Sequence, residues 1–167
     1  MIFTATAAGV LDIDGHRVRC ALGPAGVVPA TAKREGDGAS PAGVWPIREV
    51  IYRPDRGPPP AAAFRVRAMG EADGWCDDPA DPAYNRPVQL PYPASAEAMW
   101  RADALYDIVV ILGHNDDPVV PAMGSAIFLH VAKPGYPPTQ GCVAIARRDL
   151  EDLLAIAKPG DAVEIAS

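Results

Sequence analysis

Cysteine is scarce in this chain: Cys20, Cys76 and Cys142 are its three thiols, far apart and without a CxxC pair. That excludes a disulfide scaffold, and the odd number leaves at least one thiol without an intrachain partner. Long apolar runs are missing too. None approaches the roughly 20 residues of a membrane-crossing helix, so no membrane insertion is expected. Charge of one sign never gathers. Fifteen basic and 21 acidic side chains give a net charge of −6 with Lys and Arg scattered, which is not the footprint of a nucleic-acid binder. Histidine is limited to His16, His114 and His130. No His or Cys pair has ligand spacing, so neither a metal nor a cofactor is implied. The first ten residues carry no basic side chain, and the apolar stretch they open is broken at Asp12, so no secretory signal is read there.

Proline and glycine, by contrast, are abundant. Nineteen prolines and 15 glycines in 167 residues disfavour long helices and favour strands joined by turns, so a mainly β fold in one domain spanning residues 1–167 is expected. Val10, Leu11 and Ile13 run into Asp14-Gly15, and Val18, Cys20 and Leu22 alternate beyond it, which predicts a hairpin with a tight turn. Residues 33–43 read as a charged, Gly-rich loop and Val44 to Arg53 as a strand, followed by a strand signal at Phe64, Val66 and Ala68. Residues 70–93 are too broken by proline and glycine for regular structure and predict a long loop of the functional kind. Ser95 is placed to cap a short helix over 96–104. Tyr106 to Leu112, Ala126 to Val131 and Cys142 to Ile145 have the continuous apolar character of central strands. Leu150, Leu153, Leu154 and Ala157 recur at helical spacing, and Ala162 to Ala166 closes the chain as a strand.

Chemistry concentrates between Gly124 and Ile145. His130 sits near the end of one predicted strand and Cys142 at the start of the next, joined by the loop KPGYPPTQG. If those strands are neighbours, the loop returns the thiol to the imidazole, and a thiol with a nearby base is an activated nucleophile. Gly141 removes a side chain where a carbonyl must approach. It would also leave the N–H groups of Gly141 and Cys142 free for an oxyanion hole, with Thr139 and Gln140 adding polar groups. The same residue types also have a plain reading: a buried Cys is most often a small hydrophobe, and a strand His a satisfied structural group.

The stretch from His130 through Thr139-Gln140-Gly141-Cys142-Val143 resembles the active-site signature of the L,D-transpeptidase catalytic domain (YkuD) family, a histidine followed about a dozen residues later by Ser/Thr-x-Gly-Cys-Val/Ile. Residues 33–47 (KREGDGASPAGVWPI) are similar to the family's upstream Lys-x-Gly-Asp stretch. GSAIFLH resembles the strand that delivers the histidine, and residues 74–88 (GWCDDPADPAYNRPV) resemble a lid sequence of one branch. Gln140 stands where many members carry histidine, and Ala144 where Arg or Asn often follows.

The resemblance implies a β-sandwich or cradle with two short α-helices and a lid-like loop at 70–93. It implies Cys142 as nucleophile, His130 as base, the Val131 carbonyl holding the ring, and peptidoglycan stem peptides as substrate. Arg147 or Arg148 would hold the substrate carboxylate or merely solvate a helix start. Trp75, Tyr84, Asn85 and His114 would contact the peptide from the lid and the cleft edge, although a turn for His114 and loop-pinning for the cap suit the residues as well. The activity implied is formation of 3→3 cross-links by a monomer. Carboxypeptidase or cross-link hydrolase action on the same stems and an inactive wall-binding module are the alternatives. The substrate points to the periplasm or cell envelope, whereas the chain as it begins reads as cytoplasmic.

Overall fold

The structure is a computed structural model covering residues 1–167. Thirteen strands and one α-helix follow in order: β1 Ile2–Thr6, β2 Val10–Ile13, β3 His16–Ala21, β4 Val27–Pro29, β5 Ser40–Tyr52, β6 Val66–Ala68, β7 Asp73–Cys76, β8 Pro87–Gln89, β9 Ala96–Ala98, β10 Ile108–Leu112, β11 Phe128–Val131, β12 Val143–Ile145, α1 Arg147–Ile156 and β13 Ala162–Ala166. The fold is mainly β, as the composition predicts. The first hairpin turns at Asp14 and Gly15, both with positive φ (52° and 88°), the two-residue geometry whose twist matches flanking strands.

The main sheet runs β10-β11-β12-β3-β2-β1-β13-β5 and closes on itself, because the long strand β5 pairs with β13 over Gly43–Pro46 and with β10 from Ile47 onwards. A cluster of 22 buried side chains fills the interior, drawn from β1, β2 and β3 on one side, β10, β11 and β12 on the other, and Leu150, Leu153 and Leu154 of α1. Burying those leucines is what makes α1 a helix: their spacing puts all three on one face.

β10 and β11 are buried on both faces, which explains their unbroken apolar sequences. Ile108, Val110, Leu112 and Leu129 face the interior, while Val109, Ile111 and Phe128 join a second cluster with Ile51, Met69, Trp75, Met99, Tyr106 and Cys142. What covers that outer face is a small sheet of order β8-β7-β9.

Two expectations are corrected here. The segment 70–93 is not irregular throughout; it supplies β7 and β8, with Pro87 starting the edge strand β8, where no ladder N–H is required. The helix expected over 96–104 is absent, so the chain has one α-helix, not two, beside a single 3₁₀ turn at Ala30–Ala32. Ala96–Ala98 pairs instead with β7, Trp75 opposite Glu97. About nine residues form a marginal helix in water. Strand pairing wins because it buries Met99 beside Trp75 while Trp100 lies under the Arg53 guanidinium at 3.8 Å. Strand β1, unmarked in the sequence reading, pairs in parallel with β13.

Candidate active site

β11 and β12 are parallel neighbours, with Leu129 opposite Val143 and His130 opposite Ala144. Strand alternation then does the positioning: Leu129, Val131, Val143 and Ile145 enter the interior, and Phe128, His130, Cys142 and Ala144 face the other way. His130 and Cys142 open together onto a cavity of about 680 Å³. A second cavity of about 420 Å³, lined by Arg67, Asp73, Trp75 and Met99 among others, holds neither thiol nor imidazole.

The thiol of Cys142 donates to the Ala126 carbonyl at 3.1 Å and accepts the Phe128 N–H at 3.4 Å. His130 Nδ1 lies 2.9 Å from the Val131 carbonyl. A carbonyl only accepts, so Nδ1 carries the proton and Nε2 is the basic nitrogen. The edge of Tyr106 closes over the ring, with centroids 5.4 Å apart. Burial pushes the Cys142 thiol up to about 12, with the Phe128 N–H acting the other way. Burial pulls His130 down to about 4 against the Val131 hydrogen bond. The resting pair is therefore neutral thiol and neutral imidazole.

The turn before Cys142 is stapled by Thr139. Its hydroxyl donates to the Cys142 carbonyl at 2.7 Å and accepts the Gly141 N–H at 3.1 Å, and its own N–H donates to Leu22. The expectation that both N–H groups are free is corrected: Gly141 spends its donor on Thr139, and Cys142 alone keeps an N–H without a partner. Gly141 is glycine for a second reason. Its φ is +127°, and a Cβ there would sit 2.7 Å from the Ala39 carbonyl.

That carbonyl belongs to the loop 33–39, which forms the facing wall. Lys33, almost fully buried, bonds Asp37 and the Arg34 carbonyl at 2.6 Å each, and Asp37 also takes the N–H groups of Arg34 and Ala39. Burial alone would raise the Asp37 carboxyl, but the Lys33 bond and the two backbone donors hold it below the usual range. Asp37 is thus the half-buried member of an ion pair with the buried Lys33.

Other predicted contacts lie elsewhere. Thr139 and Gln140 line the cavity, but Trp75, Tyr84, Asn85, His114, Val131 and Arg147 do not. The Asn85 carbonyl oxygen accepts Trp75 Nε1 and the Ala126 N–H, each at 3.0 Å, while its amide donates to the carbonyls of His114 and Asn115. Trp75 stands edge-on to Phe128 at 5.0 Å. Tyr84 donates to Glu35 and accepts the Gly124 N–H. These three residues fasten the small sheet to the segment whose Ala126 carbonyl holds the thiol. His114 is buried against Trp45 with Nε2 on the Met123 carbonyl and Nδ1 unpartnered, and burial lowers its pKa. Arg147 pairs with Glu151 and Asp107 at the start of α1, and Arg148 is exposed near Asp152.

The cavity instead presents Glu35, Glu97, Arg101, Tyr106, Ser125 and Lys133. Sequence reasoning missed them. The helical reading of 96–104 hid Glu97 and Arg101, and Tyr106 read as one more strand residue. Lys133, three residues after His130, was the one available signal. Arg101 makes a bidentate pair with Asp103 at 2.8 Å, and Lys133 lies 3.5 Å from the same carboxylate. Glu97 accepts the Tyr106 hydroxyl at 2.6 Å. All three cysteines are free, with Cys20 and Cys76 buried outside the cavity, and no three His, Cys, Asp or Glu side chains converge as metal ligands. No helix is long and apolar enough to cross a membrane.

Compared with known protein families, the chain matches the L,D-transpeptidase catalytic domain (YkuD) over residues 7–165. Searches of curated proteins and of solved structures return no match.

Proposed function

Since the chain belongs to the L,D-transpeptidase catalytic domain family, whose members act on peptidoglycan, we propose that it is a single-domain cysteine acyltransferase joining stem peptides by 3→3 cross-links. The observation that carries this reading is that one buried thiol and one oriented imidazole line the same cavity, with Nδ1 fixed on Val131 and Nε2 left basic.

The residues support the following sequence. A stem tetrapeptide enters with the carbonyl of its third, L-centred residue at Cys142, displacing the thiol from the Ala126 carbonyl. The unpartnered Cys142 N–H receives the carbonyl oxygen as charge develops on it. His130 Nε2 takes the thiol proton while sulfur attacks, so charge separates only in the transition state, which suits a pair held neutral at rest. The tetrahedral intermediate collapses with the C–N bond breaking, and D-alanine leaves carrying the proton from His130. An amine of a second stem then attacks the thioester, and the thiol is restored. Water in place of the amine makes the same site an L,D-carboxypeptidase. Arg101 and Lys133 are the cationic groups at the cavity suited to a stem carboxylate, in place of Arg147. The substrate lies outside the cytoplasm, so the proposal places the protein's work in the cell envelope. Fractionation of the native host checks this: protein found only in the cytosol contradicts it.

A thiol-directed β-lactam tests the chemistry. The wild-type protein should gain the mass of one ring-opened lactam, and Cys142→Ser should gain none. A cavity that binds lactam without a covalent adduct would instead indicate an inactive wall-binding module.

A further inference from the structure

Beside burial itself, Glu97 is the charged group of the cavity that works against a thiolate at Cys142. Its negative charge disfavours a thiolate at Cys142, and placing a carboxylate in a partly desolvated cavity costs free energy unless a cation or donors compensate. Compensation within the chain is slight. One oxygen accepts the Tyr106 hydroxyl at 2.6 Å, and the other takes no hydrogen bond. Arg101 and Lys133, the cationic groups on this side of the cavity, pair with Asp103 and make no hydrogen bond to Glu97, and in the reading above they serve the stem carboxylate. Glu35, the other cavity carboxylate, takes two hydroxyl donors, Tyr84 and Ser125, on one oxygen, and unlike Glu97 it does not act on the Cys142 thiol.

A carboxylate with a free oxygen, in electrostatic contact with the nucleophile and without a cation of its own, fits a ligand that brings the cation. Resting on the transpeptidase reading, we propose that Glu97 is the receptor for the acceptor amine, binding it as an ammonium ion and taking its first proton.

The step balances as follows. The acceptor arrives as R–NH3⁺ and passes one proton to the Glu97 carboxylate, leaving neutral R–NH2 and a carboxylic acid that later returns the proton to water. The amine lone pair forms the C–N bond to the thioester carbon. His130 Nε2 takes the second amine proton, the C–S bond breaks, and the departing sulfur recovers that proton as a thiol. Burial holds the Glu97 carboxyl above its ordinary range, although the Tyr106 hydroxyl and the charge of Arg101 act the other way, and a less acidic carboxyl is the better proton acceptor. Tyr106 gains a role as well. It aims Glu97 with its hydroxyl and packs its edge on His130, so one side chain sets the relation between the two bases.

The experiment uses the full chain loaded with a stem tetrapeptide and then offered water alone, a stem tripeptide with a free side-chain ammonium, or hydroxylamine, which is uncharged at neutral pH. Glu97→Gln keeps the shape and can still accept the Tyr106 hydrogen bond. It should lower the ratio of cross-linked to hydrolysed product about ten-fold or more with the tripeptide, but change the ratio of hydroxamate to hydrolysed product by less than about three-fold. Glu97→Asp should recover part of the tripeptide ratio. Equal losses with the charged and the neutral nucleophile, or an unchanged partition in Glu97→Gln, overturn this inference alone. A wild-type protein that never loads the thioester overturns the parent reading and this one with it.

Discussion

The strand wall of the cleft and the small sheet that caps it are built by different physics. The wall carrying Cys142 and His130 is a pair of parallel strands buried on both faces, held by the 22-residue interior on one side and by Phe128 with its neighbours on the other. The cap packed over the outer face of those strands, from Asp73 to Ala98, reaches the cavity only at Glu97 and consists of three- and four-residue strands whose attachment depends on a few polar anchors, Asn85 above all. The difference separates duties. Apolar burial of regular strands holds Cys142 and His130 in positions that do not drift. A thin sheet held by side-chain hydrogen bonds supplies Glu97 to the cavity without disturbing the strands beneath.

The largest effect should come from the strand wall. Cys142→Ser removes acyl transfer to background in a D-alanine release assay while the circular dichroism spectrum is unchanged, because serine beside an imidazole this weakly basic is not activated. Cys20→Ser and Cys76→Ser should retain activity within a few-fold. A matching loss at Cys76 would move the chemistry into the cap and erase the contrast.

The cap should fail structurally where the strand wall fails chemically. Asn85→Ala deletes the group that joins Trp75, Ala126, His114 and Asn115. It should cost about 2–4 kcal/mol, since several buried backbone groups lose partners at once. Denaturant titration measures the loss, and hydrogen exchange should show faster exchange in β7 and β9 than in β11. Uniform exchange in strand wall and cap would mean that the cap is not a separately held unit.

His130 ties stability to pH. Its folded pKa near 4 lies below the ordinary 6.5, so the unfolded chain takes up the proton first. Its contribution is therefore fully present above 6.5 and is lost as pH falls towards 4, a total of about 3 kcal/mol. Chemical denaturation across that window should be steeper in pH for the wild type than for His130→Gln; equal slopes would place the titrating group elsewhere.

A smaller effect is expected at Thr139→Val, which removes the hydroxyl bridging Gly141 and Cys142. About 1–2 kcal/mol of stability and roughly ten-fold in acylation rate should be lost. An unchanged rate would show that Ala39 and Leu22 alone hold the turn.

The contrast also explains what the sequence made legible. Strands of the main sheet announce themselves by apolar runs and alternation, so Tyr106 to Leu112, Ala126 to Val131 and Ala162 to Ala166 were readable within two residues at each end. That His130 and Cys142 share one cavity was readable because adjacency of their strands is a local inference. The cap was not. Its strands are too short to show a period, and Ser95 followed by Ala, Glu and Met favours helix until β7 offers a partner. Trp75, Tyr84 and Asn85 look like ligand groups in sequence because nothing there reveals that their hydrogen bonds are spent inside the chain. Glu97 and Arg101 reach one cavity from one segment and Lys133 from another, and such convergence is a property of the tertiary fold alone.

The central claim is that Cys142 becomes an acyl-enzyme on a stem peptide. The direct measurement is the mass of the intact protein, quenched in acid within the first turnovers after mixing with a stem tetrapeptide, with the adduct located by fragmentation. The account predicts a gain equal to the tetrapeptide less D-alanine, carried on Cys142 and absent from Cys142→Ser; D-alanine release with no adduct, or an adduct on Cys20 or Cys76, would contradict it.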